Sequence, residues 1–329
     1  MPHPLIGITL PLAVGAALIA SAAPALATST TPAVVVEKCN GVVATIVGTE
    51  GNDRLVGTDR RDIIVAKDGD DKIFALAGND LVCAGLGADL LVGGNGDDKL
   101  HGGWDKLVAL GADLRGDILR GGPGDDRLDG GLDRRLPQVR HRDRLDYSSA
   151  GSGVRVDLSR GIATGQGRDT LVSSRWFVEG SSHDDVLIGT NKDDQLWAGP
   201  GNDRLFGRGG EDSLGGDSQS AFSTARGSGD DELHGGDDND TLISGGGSDR
   251  LSGGLGKDWL SDTGRFGHDL VNGGAGDDQV RTTVSARGEG VYGGPGADAL
   301  VLLPERVAMR QVRLTCVSIE SKTDTAPHC

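Results

Sequence analysis

Aliphatic side chains return along this chain at nine-residue intervals, each two places after an aspartate. Leu55, Ile64, Ile73, Val82, Leu91 and Leu100 follow Asp53, Asp62, Asp71, Asp80, Asp89 and Asp98 in unbroken register. Leu119 and Leu128 resume the pattern behind Asp117 and Asp126. A second run sets leucines behind Asp185, Asp194, Asp203, Asp212, Asp231, Asp240, Asp249 and Asp258. Val271, Val280 and Leu300 then stand behind Asp269, Asp278 and Asp298. The stretch GGNGDDKLH, residues 93–101, shows the unit plainly. Its glycines supply left-handed backbone that a side chain disfavours, and Asp98 closes a turn. Leu100, between Lys99 and His101, reads as the one inward residue of a very short strand. Each unit therefore predicts one turn and one strand. Such a unit is too small to bury its own leucine and has to stack on copies of itself.

This register resembles the calcium-binding RTX (hemolysin-type) nonapeptide family, G-G-x-G-x-D-x-U-x, a repeat of β-helix architecture. The resemblance implies an all-β chain, a right-handed parallel β-roll or β-helix solenoid, in which two repeats make one coil and turns alternate between two sides. Each ion would lie between successive turns on one side. Asp53, Asp71 and Asp89 would then line one row, with Asp62, Asp80 and Asp98 on the other. Asp185 and Asp203 would face away from Asp194 and Asp212, and Asp231 and Asp249 from Asp240 and Asp258. The expected metal ligands are these residues with Asp117, Asp126, Asp269, Asp278 and Asp298, and the expected cofactor is several Ca2+ ions.

The chemistry supports that implication. Calcium takes six to eight oxygen ligands and mixes carboxylates with backbone carbonyls, which a glycine-rich turn with one aspartate offers. Asx hydrogen bonding alone explains single turns, but stacked carboxylates repel without a counter-ion. An EF-hand needs a twelve-residue loop between helices, and no such loop is present. Where Arg60, Arg115, His183, Lys192 and Asp238 replace the later glycine of a turn, a side chain is expected in left-handed backbone, with weaker metal binding there. Glu289 holds the aspartate position of a worn repeat at 284–292.

The array is interrupted and capped. Residues 1–27 read as a secretory signal peptide, with an apolar core and Ala25-Leu26-Ala27 before the cleavage point. Residues 28–47 form a lead-in and N-terminal cap, with an apolar strand from Val42 to Val47. A first calcium array covers 48–129, a basic loop and strand-rich insert 130–179, a second array 180–301, and a C-terminal cap 302–329. The insert is expected to continue the solenoid with wider coils. The basic run 134–144 and the Ser/Gly-rich loop 216–228 read as exposed loops.

Composition sharpens this picture. With 56 glycines, 3% aromatics and a formal charge of −16 in 329 residues, the chain cannot form a conventional core, and the charge excludes nucleic acid as partner. Low hydrophobicity and acidic excess alone would suggest disorder, but the nine-residue register argues against it. Cys39, Cys83, Cys316 and Cys329 suit disulfides in an exported chain, and their clustering favours Cys39–Cys83 and Cys316–Cys329. No H-E-x-x-H, G-x-S-x-G or phosphate-binding loop occurs, and Ser182-His183-Asp184 cannot form a triad while adjacent in an extended segment. The reading is therefore a secreted, extracellular calcium-binding module that folds on calcium and is not an enzyme. It would have no membrane anchor after signal cleavage, and extracellular polysaccharide or a cell-surface component as possible partner. The alternatives are a surface or matrix adhesin, with the loops 134–144 and 216–228 carrying recognition, and a hydrolase or polysaccharide-modifying enzyme. For the enzyme, Asp146 and Asp157 are the candidate carboxylates.

Overall fold

A computed structural model of the chain describes residues 36–104, 116–131, 143–172, 176–217, 229–262, 264, 267–282 and 290–302. Val36 onward belongs to one compact unit. The expected signal peptide, most of both loops, Glu289 and the expected pair Cys316–Cys329 lie outside the described residues. No helix is found among the described residues. Each repeat delivers one strand, and successive strands go alternately to two sheets of 12 and 14 strands. The first sheet runs from Arg54–Val56 to Ala299–Leu302, and the second from Ile46–Val47 to Gly290–Tyr292. This is a parallel β-roll.

Register follows from the inward aliphatics. Leu100 pairs with Val82 on one side and Leu128 on the other, and Leu233 lies between Leu205 and Leu251. These side chains are fully buried and stack through the whole roll as one cluster. Burying each contributes about 1.5–3 kcal/mol. Leu55 and Leu300, at the two ends, are only partly buried, because no further coil covers them.

The strand-rich insert departs from the expected wider coil. Arg155–Asp157, Ile162–Thr164 and Arg168–Leu171 form an antiparallel meander within the second sheet. Its last strand joins the preceding coil beside Arg127–Gly131, and its first joins the following one beside Val186–Ile188. Three strands thus stand where a coil would place one, which accounts for the two additional strands in that sheet. The reversal is made at Asp157–Gly161, where Gly161 takes φ 64° and the Asp157 side chain accepts from the Arg160 N–H at 3.1 Å. Val156, Ala163 and Leu171 keep the aliphatic stack filled.

The N-terminal strand also differs from the expected continuous run. It splits into Val42–Val43, paired antiparallel with Lys38–Cys39 through an Asn40-Gly41 turn, and Ile46–Val47, which enters the second sheet. Cys39 is disulfide-bonded to Cys83, fastening this hairpin to the roll.

Candidate metal centre

One set of turns leads from the 14-stranded into the 12-stranded sheet, and the other leads back. Stacking therefore collects the aspartates into two columns. Asp53, Asp71, Asp89, Asp117 and Asp143 form the first part of one. Asp62, Asp80, Asp98, Asp126 and Asp169 form the first part of the other. Beyond the insert the columns continue as Asp194, Asp212, Asp240, Asp258, Asp278 and Asp298, and as Asp185, Asp203, Asp231, Asp249 and Asp269. At every step the backbone N–H of one aspartate donates to Oδ1 of the aspartate one coil further on, as from Asp80 to Asp98 at 2.8 Å. The two rows implied by the family resemblance are the arrangement observed. All nineteen expected aspartates lie in the columns, and only Asp53 and Asp298, at the ends of one column, are less than fully buried.

The second carboxylate oxygen distinguishes two kinds of turn. For Asp71, Asp80, Asp98, Asp126, Asp203, Asp212, Asp231, Asp240, Asp258, Asp278 and Asp298, Oδ2 is buried with no hydrogen-bond donor. A buried, unpaired charged oxygen is costly. In most of these turns Oδ2 faces the bare Cα of the first glycine of its own turn. A Cβ on Gly93 would crowd Asp98 Oδ2 and sit 2.7 Å from the Gly121 carbonyl oxygen of the next coil. Gly207, Gly235 and Gly273 repeat this arrangement against Asp212, Asp240 and Asp278. The gap left by the absent side chain is thus bounded by a carboxylate and a carbonyl oxygen from adjacent coils. Ala66, Ala75 and Ala198 stand at that place before Asp71, Asp80 and Asp203, narrowing it by a methyl group.

Burial dominates the electrostatics and adds to repulsion within the columns. It pushes the Asp98 carboxyl up to about 7, and those of Asp126, Asp203 and Asp212 up to about 8. Asp231 rises to about 9, from burial first and then from the charges of Asp249 and Asp203. Two carboxylates one strand spacing apart (about 4.8 Å) repel by about 3 kcal/mol at an effective dielectric of about 20. A hard divalent cation with a preference for oxygen answers each of these features: it supplies charge, partners the donorless oxygens, and accepts carbonyls as further ligands. The residues present fit calcium.

Four turns are built differently. Thr49, Thr58, Ser181 and Thr190 stand four places before Asp53, Asp62, Asp185 and Asp194, where many other turns carry their second glycine. Each donates its backbone N–H to Oδ2 of that aspartate at 2.6–2.7 Å. Each hydroxyl also donates to the same carboxylate at 2.8–3.0 Å. Arg60, His183 and Lys192 belong to these turns and take no positive φ, against the expectation of strained left-handed backbone. Their N–H groups donate instead to the Thr58, Ser181 and Thr190 hydroxyls. Asp238 does take φ 76°, as expected, and Arg115 lies outside the described residues.

Two column members escaped the sequence reading. Asp143 and Asp169 follow Asp117 and Asp126 by 26 and 43 residues, so counting in nines cannot reach them. The local signal was an aspartate two places before a leucine, Asp143 with Leu145 and Asp169 with Leu171. Asp262 was also missed. It stands in place of a first glycine, with its carboxylate within 4.8 Å of those of Asp249 and Asp269, and it accepts from the Gly264 N–H and the Thr282 hydroxyl.

The candidate catalytic carboxylates are held by local donors. Asp146 accepts from Arg120 Nε at 2.7 Å and from the Ser148 hydroxyl at 2.6 Å. Burial acts to raise its pKa, but the Ser148 and Arg120 interactions prevail and hold it below the usual range. Asp157 accepts from the Ser159 hydroxyl at 2.6 Å. Ser182 Oγ lies 3.5 Å from His183 Nδ1, while Asp184 turns away to accept from the Asn202 N–H.

A family model described as RTX calcium-binding nonapeptide repeat (4 copies) matches residues 47–82, 84–106, 113–134, 179–214, 226–260 and 263–282, together more than half of the chain. No curated protein matches it.

Proposed function

Since the chain belongs to the RTX calcium-binding nonapeptide repeat family, we propose that it is an exported module whose β-roll is completed by calcium and which serves outside the cell as a structural or binding element, not as an enzyme. The observation that carries this reading is the pair of buried aspartate columns whose Oδ2 atoms lack donors. The open turns, such as those of Asp98, Asp126, Asp212 and Asp240, would hold the ions with glycine carbonyls, and calcium would supply the positive charge that lets these carboxylates stay ionised when stacked. The signal-like residues 1–27 and the cysteine pairing support export. A cell-wall or extracellular polysaccharide is the proposed partner class, which a pull-down with and without calcium tests directly.

Metal binding and folding are then one event, because the site does not exist in the unfolded chain. In chelator the mature protein is expected to be expanded and to lack sheet signal by circular dichroism. Millimolar calcium, in keeping with extracellular modules at about 10⁻⁴–10⁻³ M, restores both. Magnesium does not, because it holds its waters and demands a tighter octahedron. Sheet content and radius unchanged on removing calcium would refute the reading.

A further inference from the structure

Wherever it is described, the residue four places before a column aspartate sorts the turns into two backbone states. In the open turns it takes a positive φ, as at Gly94 (113°), Gly122 (106°), Gly236 (128°) and Gly254 (120°), and does so even where a side chain makes this costly, at Lys67 (85°), Leu76 (81°) and Arg208 (85°). Its amide then points away from the aspartate, and that of Gly94 donates to the Gly121 carbonyl oxygen of the next coil at 2.8 Å. At Thr49, Thr58, Ser181 and Thr190 the φ is not positive, and the amide and the hydroxyl both turn onto the aspartate. The oxygen that is donorless in an open turn has two donors at Asp53, Asp62 and Asp194, while at Asp185 the Ser181 amide holds Oδ2 and its hydroxyl holds Oδ1. Closed turns come in adjacent pairs, one per column, and they head the two arrays.

We propose that the hydroxyl turns take no calcium and stand as metal-free coils at the head of each calcium-loaded array; this rests on the open turns binding calcium. A cation at Asp62 or Asp185 would have to displace an amide and a hydroxyl that already satisfy the carboxylate, whereas at Asp80 or Asp203 it fills a vacancy in hydrogen bonding. Each pair of closed turns adjoins structure that needs no metal. The first lies inside the loop closed by Cys39–Cys83. The second follows the insert, where Tyr147, Trp176 and Val178 are buried in an ordinary apolar core. The far end of the first array is closed by the same chemistry, since the Tyr147 hydroxyl donates to Oδ2 of Asp169 at 2.9 Å. In that column donors therefore bracket the donorless Asp80, Asp98 and Asp126 at both ends.

Native mass spectrometry of the full mature chain in calcium counts the ions directly. Asp62→Asn and Asp185→Asn are expected to leave the number of bound ions unchanged, while Asp80→Asn and Asp203→Asn each lower it. The variant T49G/T58G/S181G/T190G, which gives all four turns the glycine of an open turn, is expected to carry more ions than the wild type, up to four more. Loss of ions from Asp62→Asn equal to that from Asp80→Asn overturns the proposal, as does a folded quadruple variant with no added ion. If that variant shows no sheet in saturating calcium, the Asp→Asn comparison decides alone. A wild-type chain that carries no calcium refutes the family reading itself, and the proposal with it.

Discussion

At a column aspartate the second carboxylate oxygen decides the chemistry. In open turns such as those of Asp80, Asp98 and Asp231, Oδ1 is held by the preceding coil and Oδ2 is left for a cation. At Asp53, Asp62, Asp185 and Asp194, Oδ2 is instead capped by a hydroxyl residue. Asp80→Ala removes a donorless oxygen from an open turn, so its cost appears as weaker calcium binding. Asp194→Ala removes an oxygen already bound by Thr190, so its cost is a lost turn. Calcium titration followed by circular dichroism is expected to show the midpoint rising clearly more for Asp80→Ala. A larger rise for Asp194→Ala would contradict the assignment. Leu76, partly exposed at φ 81°, supplies a second check. Left-handed backbone costs a side chain about 1–2 kcal/mol, while glycine adds about 0.5–1 kcal/mol of unfolded-state entropy. Leu76→Gly is therefore expected to leave stability unchanged or raise it by about 1 kcal/mol in a denaturant melt at saturating calcium. The aspartates were legible in the sequence because their phase is strict. The closed turns were not, because Thr49 or Thr190 in a glycine position looks like a worn repeat until the hydroxyl is seen bonded to the aspartate.

A single coil is held by its two inward aliphatics, its ladder bonds and its neighbours, and little else. Leu100 lies in register between Val82 and Leu128 with no exposed surface. Leu100→Ala is expected to cost about 2–5 kcal/mol through lost burial and the cavity left behind, measurable as a lower denaturation midpoint in calcium. In a stacked array each coil contacts only those beside it, so damage should stay local. The Cys39–Cys83 bond closes a 44-residue separation, worth roughly 4 kcal/mol of unfolded-state entropy. Hydrogen exchange of the C39S/C83S variant in calcium is expected to show lost protection in Ile63–Asp68 and unaltered protection in Glu232–Asp237. Equal loss in both strands would mean that the roll unfolds as one unit. The strands and this bond could be read from the sequence. The direction of the insert strands could not, since alternation of Val154, Val156 and Leu158 reports a strand and not its sense. The turn at Gly161 sets that sense, and nothing in a nine-residue count marks it as a reversal.

For the molecule as a whole, protons and calcium compete for the same carboxylates, and the sign of each effect follows from burial. Without metal, burial raises Asp98 and Asp240 to about 7, Asp126, Asp203 and Asp212 to about 8, and Asp231 to about 9, from the ordinary 3.8. A carboxyl raised in the folded state binds more protons folded than unfolded. Its contribution to stability is therefore present in full below its unfolded value and is lost as the pH rises through the folded one. In chelator the roll is expected to gain sheet signal as the pH falls from 8 to 5, because protonation discharges the columns of a chain whose formal charge is −16. With calcium the dependence reverses, since an ion requires the carboxylate ionised. The unfolded chain that calcium folds keeps ordinary carboxyl values and is already ionised at pH 6 to 8, so the calcium midpoint is expected to stay level there and to climb only as the pH falls toward about 4. Circular dichroism across both series tests the pair. Sheet signal in chelator that grows with rising pH, or a calcium midpoint that falls as the solution is acidified, would show that these columns are not the sites where the metal acts.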